Sequence, residues 1–121
     1  MTSPTLAGLD LTALSRAIEG RDAAAQTAFY ADDAVLTTID SEHGPSDPAV
    51  LRGRDEIGAG LAEVCARDMT HRVVFAISDA ERAAVAVDCR YPDGVAVRCH
   101  ATIVLRDGRI VEQVTVQAWD S

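Results

Sequence analysis

Few side chains in this sequence can do acid–base chemistry near neutral pH. His100 lies in the run Arg98-Cys99-His100-Ala101-Thr102. An imidazole titrates near neutrality and serves as general acid or base with little tuning. Its bland alternative is a hydrogen-bonded structural histidine on a half-buried strand. His71 opens another strand-like run, and is a candidate partner for His100. Asp40 follows Thr38 by two residues, so a continuous strand puts both on one face, with Asp40 a base at the rim of a site. Its alternative is a turn carboxylate in Asp40-Ser41-Glu42-His43. Thr102, Gln113, Thr115 and Gln117 carry the hydroxyls and amides that would orient substrate oxygens.

Other chemistries lack their residues. All eleven basic residues are Arg, and without Lys there is no Schiff base. No GxSxG nucleophile elbow occurs. His43, His71 and His100 show no HxH or HxxxH spacing, and Cys65, Cys89 and Cys99 show no CxxC, so no metal site is expected. Gly58-Ala59-Gly60 falls inside a helix, not in a phosphate loop, and no cofactor is expected. The charge sum, 11 − 19 = −8, opposes a nucleic-acid partner and an anionic membrane surface. The longest apolar runs, 73–77 and 83–87, are too short to span a bilayer, and the first residues lack the pattern of a signal peptide. An odd number of cysteines fits a reducing compartment, and the expectation is a soluble, cytoplasmic protein.

The elements that would position these residues make an α+β domain. Residues 1–8 read as a flexible tail and 9–121 as a single domain. Asp10 caps a first helix with Leu11, Leu14 and Ile18 on one stripe, ending at Gly20. A second helix runs from Asp22 to Tyr30, with Asp32 and Asp33 closing the junction after it. Residues 34–39 read as a strand and 40–49 as a loop holding Gly44, Pro45 and Pro48. A third helix follows, with Asp55 and Glu56 in its first turn and Ile57, Leu61, Val64 and Cys65 as its apolar stripe. Strands near 70–78, 82–91, 95–106 and 109–118 complete the chain, joined by turns at Pro92-Asp93-Gly94 and Asp107-Gly108. Helices first and a meander after predict three helices on one side of a mostly antiparallel sheet.

A two-residue Asp107-Gly108 turn pairs Arg106 with Arg109 and, counting back, Thr102 with Gln113, His100 with Thr115 and Arg98 with Gln117. That register predicts one polar face of Arg98, His100, Thr102, Gln113, Thr115 and Gln117. It predicts an opposite face of Val97, Cys99, Ala101, Ile103, Val114 and Val116. A two-residue turn at Pro92-Asp93 adds Val85 and Val87 to the polar face; a three-residue turn does not. Either the polar face meets water, or it lines a cavity under the helices while the apolar face joins two copies. Asp88 then falls on the face opposite His100, as a surface or interface residue. Trp119 and Tyr30 are candidates for an apolar rim around a ligand, with core packing as the alternative.

Phe29-Tyr30-Ala31-Asp32-Asp33-Ala34-Val35-Leu36 resembles the helix-to-strand junction of the nuclear transport factor 2-like superfamily, and of its SnoaL-like members in particular. Leu51-Arg52-Gly53-Arg54-Asp55-Glu56-Ile57 resembles the start of that fold's third helix, Met69-Thr70-His71-Arg72-Val73 the strand after it, and Arg106-Asp107-Gly108-Arg109-Ile110-Val111 its last hairpin. The stretches Cys89 to Gly94 and Val116 to Asp120 resemble an actinobacterial subgroup. The resemblance covers residues 9 to 119. It implies a cone-shaped α+β barrel, a pocket at the wide end, and a homodimer through the outer sheet face. It implies a small organic ligand and cofactor-independent isomerase, cyclase or dehydratase chemistry, as on a polyketide-like metabolite, or else a non-catalytic binding or assembly module. The ketosteroid isomerase positions for the oxyanion hole fall on Leu14 and Thr102 and its general base on Thr38, so that mechanism is not carried over. The limonene epoxide hydrolase carboxylate falls on Thr115. The pair His71 and His100 resembles the histidines of scytalone dehydratase-like members. Pocket positions fall on Val85, Val87, His100, Thr102, Gln113, Thr115 and Gln117. The combined expectation is His100 as acid/base, with Asp40 or His71 as partner, and Thr38, Val85, Val87, Arg98, Thr102, Gln113, Thr115, Gln117 and Trp119 around the substrate.

Overall fold

The computed structural model describes residues 8–121. The expected tail falls on residues 1–8, and all of it but Gly8 lies outside the described residues. The elements run α1 (Leu11–Glu19), α2 (Ala23–Thr27), β1 (Tyr30–Ile39), β2 (Ala49–Arg52), α3 (Gly53–Cys65), β3 (Thr70–Ser78), β4 (Arg82–Arg90), β5 (Ala96–Arg106) and β6 (Arg109–Trp119). Asp10 and Asp22 cap α1 and α2 by accepting from the backbone N–H groups of Ala13 and Ala25, each at 3.0 Å. The six strands form one curved, unclosed sheet in the order β2-β1-β6-β5-β4-β3. The β1–β6 pair is parallel and the others antiparallel.

The second helix stops earlier than its sequence suggests. Tyr30 opens β1 because the sheet captures this backbone: Ile110 N–H donates to the Phe29 carbonyl at 2.9 Å, and Arg54 donates twice to the Tyr30 carbonyl, at 3.0 and 2.7 Å. Asp32 and Asp33 therefore lie within β1 and pair with Arg54 at 3.1 Å and Arg106 at 2.9 Å. The short strand β2 has too few residues to show alternation and was not foreseen. In α3 a Cβ on Gly60 would sit 2.7 Å from Leu51 Cδ1, so this glycine lets the helix lie against β2.

The helices cover the concave face of the sheet. Leu9 and Leu14 meet Leu36, Val85, Ile103, Leu105 and Ile110 there, with Ile57 of α3 fully buried among them. Burying an aliphatic side chain of this size contributes about 1.5–3 kcal/mol.

Two local irregularities decide which residues face that core. Between Val104 and Leu105 the β5–β6 register shifts: Leu105 pairs with Ile110, but Val104 pairs with Glu112. Val111 is thus the extra residue of a β-bulge. Beyond it Ile103 pairs with Gln113, Ala101 with Thr115 and Cys99 with Gln117. The other hairpin closes over three residues, with Tyr91 N–H donating to the Val95 carbonyl at 3.0 Å, so Val87 pairs with Cys99 and Val85 with Ala101. The concave face therefore carries Val85, Val87, Cys99, Ala101, Ile103, Gln113, Thr115 and Gln117. The predicted faces are corrected for β5: Arg98, His100 and Thr102 point to the convex side and are exposed. Val114 and Val116 share that convex side.

Candidate functional site

Between the helices and the concave face lies a cavity of about 560 Å³. Its wall takes Leu14, Ile18 and Gln26 from the first two helices, Leu61, Val64 and Cys65 from α3, and Tyr30, Leu36 and Thr38 from β1. Asp40 follows β1 at the wall. The remaining strands add His71, Val85, Val87, Cys89, Val97, Cys99, Ala101, Ile103, Gln113, Thr115, Gln117 and Trp119. Of the residues singled out in the sequence, Thr38, Asp40, His71, Val85, Val87, Gln113, Thr115, Gln117 and Trp119 are thus at the cavity. His100, Arg98 and Thr102 are not: the three-residue turn on one side and the bulge on the other place β5 one residue out of phase with the predicted face. His100 stands opposite Ala86 and Val116 on the outside of the sheet, and no pairing of its ring with His71 is formed across the sheet.

Most of the wall is apolar, and its polar groups are ordered by one another. The Tyr30 hydroxyl is buried and donates to Gln113 Oε1 at 2.7 Å. Gln113 Nε2 donates to Thr115 Oγ1 at 3.1 Å. Thr115, an acceptor in this relay, has its own hydroxyl proton free to donate. Burial pushes the Tyr30 phenol above its ordinary range, although the bond to Gln113 opposes this, so it remains a neutral donor. At the rim, Trp119 Nε1 donates to Gln117 Oε1 at 3.0 Å, and the Trp119 ring lies 6.0 Å from that of Tyr91.

Asp40 is at the cavity edge and is also the turn carboxylate of its alternative reading. Its Oδ1 accepts from the backbone N–H groups of Glu42 and His43, at 2.9 and 2.8 Å, and lies 2.9 Å from His43 Nδ1. Partial burial raises its pKa, but these bonds outweigh it and hold the carboxyl below its usual range.

Around His71 the structure gathers two thiols whose part in the site went unread in the sequence. His71, Cys89 and Cys99 come from three adjacent strands. His71 pairs with Cys89 across β3–β4, and its Nδ1 lies 3.2 Å from Cys89 Sγ. Hydrogen bonding from the Cys99 thiol lowers the Cys89 pKa; burial works against it, and His71 adds to the lowering. The same bond, with burial, pushes Cys99 up. His71 Nε2 is buried with no hydrogen-bond partner among the described residues. The signal in the sequence was the placement of Cys89 and Cys99 on either side of the Pro92-Asp93-Gly94 turn, legible only once the turn length is known.

Residues 11–113 match the SnoaL-like domain, and the chain belongs to this family. Solved structures confirm the fold. An NTF2-like protein of unknown function from Mesorhizobium loti superimposes with a TM-score of 0.77 at 19% identity, over 89% of this chain and 87% of that one. An NTF2-like protein of unknown function from Burkholderia xenovorans gives 0.73 at 18%, over 92% and 80%. A protein from Catenulispora acidiphila with a ketosteroid isomerase-like fold, in complex with trimethylamine, gives 0.64 at 20%, over 87% and 82%. No curated protein matches the chain. Among the described residues no helix is long and apolar enough to cross a membrane.

Proposed function

We propose that the protein binds a small, largely apolar organic molecule carrying an oxygen function and performs cofactor-independent acid–base chemistry on it, of the isomerase, cyclase or dehydratase type. The observation that carries this reading is the cavity, mostly apolar, at whose wall the Tyr30–Gln113–Thr115 relay ends in a hydroxyl with a proton to give. Such a wall selects ligands by shape and fixes them by one or two polar contacts. Thr115 and Gln117 would hold a carbonyl or hydroxyl oxygen, and His71 would move the proton. Asp40, bonded into its turn, suits a rim electrostatic role better than that of a base. A polyketide-like metabolite fits this description. The non-catalytic alternative, a binding or assembly module, draws on a specific feature: most polar groups of the wall already satisfy one another.

A second copy of the chain is the proposed partner, through the convex face. Phe75, Ile77 and Val116 are 55%, 58% and 47% exposed there, an apolar patch of the kind that marks an interface. Three free thiols suit the reducing cytoplasm.

The test is a screen of hydroxy-carbonyl metabolites for quenching of Trp119 fluorescence and then for turnover. His71→Gln should abolish turnover while His100→Gln leaves it unchanged. Loss of turnover in His100→Gln with His71→Gln active would reverse the assignment, and saturable binding without product would favour the binding module. For the dimer, Val116→Arg should give a monomer by light scattering; a wild-type monomer would end that part of the proposal.

A further inference from the structure

The His71–Cys89–Cys99 cluster has the parts of an activated nucleophile. Cys89 lies on β4, with His71 opposite it on β3 and Cys99 on β5. Cys89 is 4% exposed, yet it and both partners line the cavity. The 3.2 Å contact between the Cys89 sulfur and His71 Nδ1 has a consequence for the other ring nitrogen. When the imidazole accepts from the thiol through Nδ1, the neutral tautomer carries its proton on Nε2; after transfer, both nitrogens carry one. Nε2–H is then a buried donor with no acceptor among the described residues in either state, and such a group is destabilising until something accepts from it. A ligand oxygen in the cavity is the natural acceptor.

The two thiols are not placed as a disulfide. Val87 pairs with Cys99 and Cys89 with Val97, so the cysteines are diagonal neighbours. Diagonal Cα atoms in a sheet are about 7–8 Å apart, beyond the usual disulfide limit of about 6.8 Å. Cys99 stands instead as the diagonal neighbour of Cys89 on the cavity side of the sheet, where its thiol favours ionisation of the Cys89 sulfur. The groups acting on that sulfur are His71 from β3, Cys99 from β5 and Asp88 of β4 itself, which opposes ionisation; Arg67 and Tyr91 stand further along the same cavity wall. Among the described residues no set of three or more His, Cys, Asp or Glu converges as metal ligands do.

We infer that Cys89 is a nucleophilic thiol of the cavity wall that adds to a conjugated enone, with His71 carrying the thiol proton and Cys99 orienting the sulfur. The cavity wall supplies what this electrophile needs: an apolar bed for its carbon frame and polar donors for its carbonyl oxygen. In the addition, the Cys89 sulfur forms a bond to the β-carbon and the double-bond electrons move to the carbonyl oxygen as an enolate. The proton that His71 took from the thiol then goes to the α-carbon. The sum is addition of S–H across C=C, with no oxidant or reductant. The inference rests on the cavity admitting a small molecule, as the proposed function also does.

The experiment is iodoacetamide labelling of the full chain, read by peptide mass mapping, followed by incubation with cyclohexenone. At pH 7 an ordinary thiol is only a few per cent ionised, so Cys89 should label about tenfold faster than Cys65. Cys65, at the same cavity and pushed up chiefly by burial, is the internal control. The Cys89 rate should fall with pH only below the ordinary thiol range, and His71→Gln and Cys99→Ala should each move that inflection upward. Cyclohexenone should add one equivalent of mass to Cys89, and none to Cys89→Ser or Cys89→Ala. Labelling of Cys89 no faster than Cys65, or an inflection unmoved in His71→Gln, would overturn the inference. The control for access is Ala101→Cys with all three native cysteines changed to Ser. If it labels and Cys89 does not, the nucleophile is wrong and the cavity reading stands; if neither labels, both fall.

Discussion

The two faces of the β4–β5–β6 sheet differ in what they ask of a side chain. The concave face holds Ile103 and Val85 against the helices and then opens into a cavity walled by Cys89, Cys99 and Thr115. The convex face holds His100 and Thr102 among Phe75, Ile77 and Val116, exposed in the single chain. The face with more obvious chemistry, an exposed histidine flanked by Arg and Thr, lies outside the cavity. The face with the cavity hides its titratable groups among apolar neighbours. Polarity along one strand is therefore a poor guide to a site; enclosure, which several elements create together, is the better one.

The contrast can be broken first by stability. Ile103→Ala on the concave face should cost about 2–4 kcal/mol, because a buried aliphatic side chain leaves a void. Val116→Ala on the convex face should change the stability of the single chain by about 0.5 kcal/mol or less. Urea melts of both variants, at concentrations low enough to keep the chain monomeric, compare them directly, and equal losses would mean that Val116 packs within the single chain. Next in size is ligand affinity. Thr115→Val should weaken binding of a hydroxy-carbonyl ligand about tenfold, the loss of one hydrogen bond, while Thr102→Val leaves it unchanged. Equal weakening by titration calorimetry would return the Thr102 face of β5 to the site.

A smaller effect is expected at the base of the relay. Tyr30→Phe removes a buried hydroxyl and leaves Gln113 Oε1 unpaired, which should cost about 1–2 kcal/mol in a denaturant melt. A neutral result would mean that water replaces the phenol. The smallest effect is one of pH. The turn bonds hold Asp40 below the usual carboxylate range, so its contribution is complete above the unfolded-state value of about 3.9 and is lost as pH falls through the lower folded one. Thermal melting should therefore decline more in the wild type than in Asp40→Asn as pH is lowered from about 5 to about 2. Parallel declines would show that the turn does not depend on the charge.

Much of the architecture is legible in local chemistry. Asp10 and Asp22 announce helix starts because a carboxylate satisfies N–H groups that the first turn leaves open. Asp107-Gly108 announces a hairpin because both residues take positive φ there, 54° and 77°. The cavity residues of β4 and β6 were also legible, for an instructive reason. The extra residue at Pro92-Asp93-Gly94 and the extra residue at Val111 each slip the register by one, and the two slips leave β4 and β6 in phase with each other. Only β5, between them, is reversed, and it carried the leading candidate, His100.

By itself the sequence determined the class of fold, the helix caps, the turns, the polar character of Gln113, Thr115 and Gln117, and the absence of lysine chemistry. Those depend on residue type and on near neighbours. Tertiary structure alone decided which side of β5 faces inward, that Tyr30 leaves its helix to join β1, and that His71, Cys89 and Cys99 meet. A strand's side chains alternate with a period of two, so one inserted residue reverses every assignment beyond it. Whether that residue is inserted depends on how the sheet must bend to close over its helices, and no local pattern records the bend.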